Sequence, residues 1–144
     1  QNILYLHGGL HIFDAGSELL KYTWSRTGVR LIDQIRAALH GHLYPVFVSE
    51  GESDQKLERI RHNDMLSRGY RSFAKITGTL FIYGHSLASN DEHFLKLIER
   101  GKISRLYISI FGSAASADNR RIIARAEALG ECTTASASTR SGFL

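Results

Sequence analysis

Apolar positions fall into short continuous runs that alternate with stretches of three-to-four-residue periodicity, and glycines separate the two kinds of segment. Residues 3–6, ILYL, end at His7, Gly8 and Gly9, the pattern of a strand buried on both faces and stopped by a glycine turn. Residues 10–13 and 18–24 flank Asp14, Ala15, Gly16 and Ser17, and Leu20, Tyr22 and Trp24 recur with period two, which predicts a β-hairpin. Val29, Leu31, Ile32, Ile35, Ala38 and Leu39 then keep helical spacing, with His40, Gly41 and His42 as the stop.

A second apolar strand is predicted over residues 45–49, before Glu50, Gly51 and Glu52. Ser53 can cap the next helix, on which Lys56, Leu57 and Ile60 share helical spacing. A further helix spans residues 64–76, weakened in its middle by Gly69, and residues 79–83 form a third strand ended by Gly84. Ser89 followed at three residues by Glu92 reads as a capping box for a helix that buries Phe94, Leu95, Leu97 and Ile98. Gly101 closes it, residues 106–111 form a fourth strand, and Asp118 opens a last helix lined by Ile122, Ile123, Ala126 and Leu129.

Repeated strand and helix in this order predict an α/β fold: a three-layer Rossmann-like parallel sheet with helices on both faces and a β-hairpin insertion. Residues 1–130 form the domain in this reading, and residues 131–144, rich in Ser, Thr and Ala, form a loose tail.

Composition narrows the function classes. A chain of 144 residues with 43% hydrophobic and 22% charged positions suits one globular domain. No apolar run reaches the roughly 20 residues of a membrane helix and no start of signal-peptide type is present, so no membrane partner and a cytoplasmic location are expected. Cys132 stands alone, which excludes an internal disulfide and a CxxC zinc clamp. A charge of +4 from scattered Lys and Arg reads as solvated helix faces, and a nucleic-acid partner is not expected. Beginning at Gln1 directly before an apolar run, the chain reads as a piece of something longer.

In parallel sheets, ligands gather beyond the carboxyl ends of the strands, where helix N-termini offer free amide hydrogens. Those ends carry His7, Gly8 and Gly9; Ser49, Glu50 and Gly51; Gly84, His85, Ser86 and Leu87; and Gly112 with Ser113. Gly84-His85-Ser86-Leu87-Ala88 approaches the G-x-S-x-G elbow of α/β serine hydrolases, but Ala88 replaces the second glycine. His93, the one histidine after Ser86, lies too close in sequence to swing back over it. His11, His40, His42, His62, His85 and His93 form no H-x-x-x-H pair and no acid stands at ligand spacing, so no metal is expected. The plain alternatives are a hydrogen-bonded structural role for His7, a turn role for Ser86, helix capping for Asp91, and packing for Tyr5, Tyr22 and Trp24.

His7-Gly8, the segment PVFVSEG from Pro45 to Gly51, and Gly84-His85-Ser86-Leu87 followed by Asp91 resemble the second half of a sirtuin-like domain. More narrowly, the runs YLHGGLHIFDAGSELLKYTW, EGESDQKLERIRH and FIYGHSLASNDEH are very similar to the bacterial family named domain of unknown function 4917, over Ile3 to about Leu129. This resemblance implies an NAD-binding Rossmann-like domain, of which the chain is the C-terminal portion. It implies His7 as the base that deprotonates a ribose hydroxyl, with Gly8, Gly84, His85, Ser86, Leu87 and Asp91 around the nucleotide. His85 departs from the small or hydroxyl residue of deacetylating sirtuins, Asp91 fits the sirtuin-like domains of bacterial defence proteins, and the four zinc cysteines of deacetylases are missing. NAD hydrolysis is thus favoured over protein deacetylation, with a non-catalytic sensor or interaction module of the same fold as the alternative. In such families the Gly-rich phosphate loop precedes the histidine, so this segment alone is expected to be inactive and to associate with that half or with a second copy.

Overall fold

The computed structural model of the chain describes residues 3–23, 25, 27–130 and 134–140, with residues 130 and 134–140 described as backbone alone. It is a mixed α/β structure with two compact units. The first joins Gln1–Glu50 to Glu58–Gly69 and the second joins Gly51–Leu57 to Tyr70–Leu144.

In the first unit, β1 (Gly8–Asp14) lies between β2 (Leu19–Lys21) and β3 (Tyr44–Phe47), and both pairings are antiparallel. The predicted hairpin is present. Asp14 Oδ1 accepts the Gly16 amide at 2.8 Å and Gly16 adopts φ 83°, which turns the chain into β2. Its second arm is shorter than the sequence suggested, and Trp24 falls outside the described residues. Tyr22 packs edge-on against Phe13, and Tyr5 packs against His11 and under Lys21, so both tyrosines serve packing. Ile12 and Phe13 point to opposite sides of β1 and both are buried. Helix α1 (Leu31–His40) ends at Gly41, as its stop signal predicted.

Residues 3–6 are not the expected buried strand: they have no strand structure and Ile3 is 66% exposed. The Gly8 amide donates back to the Tyr5 carbonyl at 3.1 Å, Gly8 adopts φ 78°, and the strand starts there instead of ending. His7 therefore precedes β1. Its carbonyl accepts the Val48 amide at 2.8 Å, which sets it beside the carboxyl end of β3. Pro45 is tolerated in β3 because the strand order leaves β3 at an edge.

Helices α2 (Ser53–Arg61) and α3 (Asp64–Phe73) follow β3 in the chain. Asn63 Oδ1 caps α3 by accepting the Leu66 amide at 3.1 Å. A Cβ added to Gly69, in the buried middle of α3, would lie 3.8 Å from Leu6 Cδ2, an ordinary contact. Gly69→Ala is therefore expected to stabilise the protein by about 0.5–1 kcal/mol through helix propensity, read as a higher urea midpoint with unchanged slope.

The second unit is built on β4 (Thr77–Ile82), β5 (Lys102–Phe111) and β6 (Thr134–Arg140), parallel and in that order. Thus Thr134–Arg140, within the segment that composition reads as a tail, pairs along β5 from Arg105 to Phe111. Helices α4 (Glu92–Glu99) and α5 (Ala117–Gly130) bring Leu95, Ile98, Ala126 and Leu129 onto Leu106 and Ile108. The alternate positions Phe81, Tyr83 and Phe111 are exposed, with Phe81 stacked on Tyr107 at 4.9 Å between ring centres. The strands do not form the single parallel sheet that the sequence predicts. β1 and β3 pair antiparallel in one sheet, and among the described residues parallel pairing belongs to β4, β5 and β6. Among the described residues no helix is long and apolar enough to cross a membrane.

Candidate functional site

The carboxyl end of β4 opens into the loop Gly84-His85-Ser86-Leu87, and a short 3-10 turn, Ser89–Asp91, leads from there into α4. Gly84 (φ 68°) and Leu87 (φ 53°) both have left-handed backbone. For Gly84 this is easy, and no atom lies within 4 Å of where its Cβ would sit. For Leu87 it is strained, because a side chain crowds the backbone in this region, yet Leu87 is buried in the apolar core of the unit.

Polar side chains hold this loop from behind. The Leu87 amide donates to His85 Nδ1 at 2.9 Å. An amide hydrogen can only be given to a lone pair, so the ring proton of neutral His85 sits on Nε2, which faces Asp91 Oδ2 at 3.2 Å. The other carboxylate oxygen of Asp91 accepts Lys56 Nζ at 2.9 Å. The Lys56 side chain is only 5% exposed and that of Asp91 17%, so the pair is largely removed from water.

Ser53 Oγ accepts the His93 amide at 2.8 Å and lies 3.0 Å from His93 Nδ1. Ser53 thus satisfies a free amide at the start of α4 as well as opening α2, where sequence spacing assigned it only to α2. The capping box over Ser89 and Glu92 does not form. No side chain caps the 3-10 turn or α4 from its flanking residue, and both Glu92 carboxylate oxygens instead accept Arg125 Nη2 of α5 at 2.6 Å. A longer-range ion pair has outcompeted the local reach-back.

In front of the loop is a cavity of about 700 Å³ lined by Ser86, Leu87, Ser89, Glu92, Arg121 and Arg125, among others. Its far wall is the first three turns of α5, positioned by Asn119, whose Nδ2 donates to the carbonyls of Phe111 and Ser113 at 2.8 Å each. Asp118 pairs with Arg121, and both side chains are largely exposed. Each arginine at the cavity therefore has a carboxylate partner.

Of the residues singled out from the sequence, Gly84, His85, Ser86, Leu87 and Asp91 come together in the second unit. Ser86 and Leu87 line the cavity, while His85 and Asp91 support the loop. His7 and Gly8 belong to the first unit, where Gly8 has a backbone role: a Cβ there would lie 1.9 Å from the Val46 carbonyl oxygen. Lys56, Asn119 and Arg125 were not foreseen. Lys56 had given a signal, because it keeps helical register with apolar Leu57 and Ile60, and a lysine on a buried helix face needs a partner.

No curated protein and no solved structure matches the chain. The pattern of one family, described as Domain of unknown function (DUF4917), matches residues 1–136. The match runs past Leu129 and across the start of β6. With nearly its whole length matched, the chain belongs to the family Domain of unknown function (DUF4917).

Proposed function

We propose that the chain is part of a sirtuin-like, Rossmann-like domain and binds NAD in front of the Gly84–Leu87 loop. The observation that carries this reading is the cavity of about 700 Å³ at the carboxyl end of β4, walled by Ser86–Ser89 and by α5. Its volume falls within the roughly 300–1,000 Å³ of small-molecule sites. Its place matches the rule for open α/β sheets, with ligand beyond the strand ends and a helix start opposite.

The residues fit a dinucleotide in part. Uncovered backbone at Gly84 permits close approach, and Ser86 offers a hydroxyl. The exposed Arg121 side chain is free to exchange Asp118 for a diphosphate oxygen. NAD brings a glycosidic bond whose cleavage places positive charge on the ribose. His7 is the proposed base, because the family resemblance gives it that role and an imidazole can accept a ribose hydroxyl proton. The structure offers less to a serine hydrolase: both ring nitrogens of His85 are engaged, by the Leu87 amide and Asp91, so this histidine has none left to take the Ser86 proton.

Calorimetric titration of NAD into the full-length protein, with nicotinamide release measured in parallel, tests the reading. Ser86→Phe, which fills the cavity mouth, should weaken NAD by at least roughly tenfold, or about 1.4 kcal/mol. His7→Ala should leave affinity within about threefold, under 1 kcal/mol, and abolish nicotinamide release. Binding without release in the unsubstituted protein would assign the fold to a sensor module. Absence of binding at millimolar NAD would remove the nucleotide reading altogether.

A further inference from the structure

We propose that His85 is a positioning residue: it ties the Leu87 amide to Asp91 and so fixes the cavity wall made by Ser86 and Leu87. Its effect on affinity rests on the nucleotide reading above, while its effect on the loop does not.

Three observations carry the proposal. First, the bond from the Leu87 amide to His85 Nδ1 spans two residues and closes a ring around Ser86. This is the arrangement that Asn and Asp make in Asx turns, and here an imidazole takes the carboxamide's part. The direction of Ser86 is therefore set by a bond between its two neighbours. Second, Leu87 holds φ 53°, which a residue with a side chain adopts only when its surroundings impose it. Burial of its side chain against the core supplies one constraint and the His85 bond supplies the other. Third, the acceptor is itself anchored. His85 Nε2 faces Asp91 Oδ2 at 3.2 Å, and Asp91 Oδ1 is held by buried Lys56 at 2.9 Å, so the line runs from α2 through the 3-10 turn into the loop. With both ring nitrogens engaged, His85 acts on a ligand through Leu87 and Ser86.

The test uses His85→Ala and His85→Asn. Asparagine can accept the Leu87 amide in an ordinary Asx turn, whereas alanine cannot. Three quantities are read: hydrogen exchange of the Leu87 amide, the nitrogen chemical shifts of the His85 ring, and NAD affinity. In the unsubstituted protein the ring should show Nδ1 bare and Nε2 protonated. In His85→Ala the Leu87 amide should exchange roughly tenfold faster while distant core amides keep their protection, and NAD should bind roughly tenfold more weakly. His85→Asn should restore Leu87 protection and most of the affinity.

Protonation on Nδ1, or unchanged Leu87 exchange in His85→Ala, overturns the proposal. So does faster Leu87 exchange with undiminished affinity, since the loop would then not shape the pocket. If the unsubstituted protein binds no NAD, the nucleotide reading fails, and the exchange and ring measurements still decide whether His85 holds the loop. If His85→Ala fails to fold, the ring shifts and the asparagine variant decide it.

Discussion

Gly8→Ala is expected to destabilise the first unit by about 3–5 kcal/mol, enough to unfold a marginal domain at room temperature. Two independent costs combine. The backbone at Gly8 has φ 78°, which any L side chain occupies under strain, at about 1–2 kcal/mol. The new Cβ would also fall 1.9 Å from the Val46 carbonyl oxygen and 2.7 Å from its carbon. Those atoms belong to β3, paired to β1 through Gly8 and Phe47, so they cannot yield without opening the ladder. Two neighbouring glycines separate the costs. Gly16 has φ 83° with no atom within 4 Å of its missing Cβ, so Gly16→Ala should carry the backbone cost alone, about 1–2 kcal/mol. Gly9 lies outside the left-handed region and its added Cβ would meet side-chain atoms alone, the His11 ring at 3.0 Å and Ile12 Cδ1 at 3.8 Å, so Gly9→Ala should be milder than Gly8→Ala. Urea unfolding of the three variants gives the ranking. Equal losses in Gly8→Ala and Gly16→Ala would show that the approach of β3 to Gly8 is wrong.

The same glycine marks where the sequence was readable and where it was not. Polar and glycine residues between two apolar runs located the hairpin, and helical spacing with a glycine stop located α1, because both signals are local. The run at residues 3–6 carried the right composition for a buried strand. What decides otherwise is the Gly8 turn and the pairing of Gly8 with Phe47, a partner 39 positions away that no local pattern contains. Strand direction failed for the same reason: an apolar run looks alike in parallel and antiparallel sheets, and Pro45 alone hinted that β3 lies at an edge. At the site, the loop from Gly84 to Leu87 was legible as a strand end rich in small and polar residues. His85 and Asp91 were singled out too, but Lys56 and the joining of the three were not, because they come from separate segments and meet only in the tertiary structure.

Lys56→Met is expected to cost about 3–5 kcal/mol in the second unit, the usual penalty for removing one member of a buried ion pair. The methionine keeps the length and apolar stem of the side chain, so packing on the α2 face changes little. What remains is an Asp91 carboxylate 17% exposed, without its lysine and beside Nε2 of His85. The loss should therefore be electrostatic, and removing the negative charge as well should reverse much of it. Asp91→Asn keeps an oxygen that can accept the His85 Nε2–H, so the double variant Lys56→Met with Asp91→Asn should be more stable than Lys56→Met alone by about 1–3 kcal/mol. A double-mutant cycle by urea unfolding reads the coupling directly. Additive losses would mean that the two charges, although 2.9 Å apart, do not depend on one another. Strong coupling, with faster exchange of the Leu87 amide in Lys56→Met, would place the anchor of the cavity wall on α2.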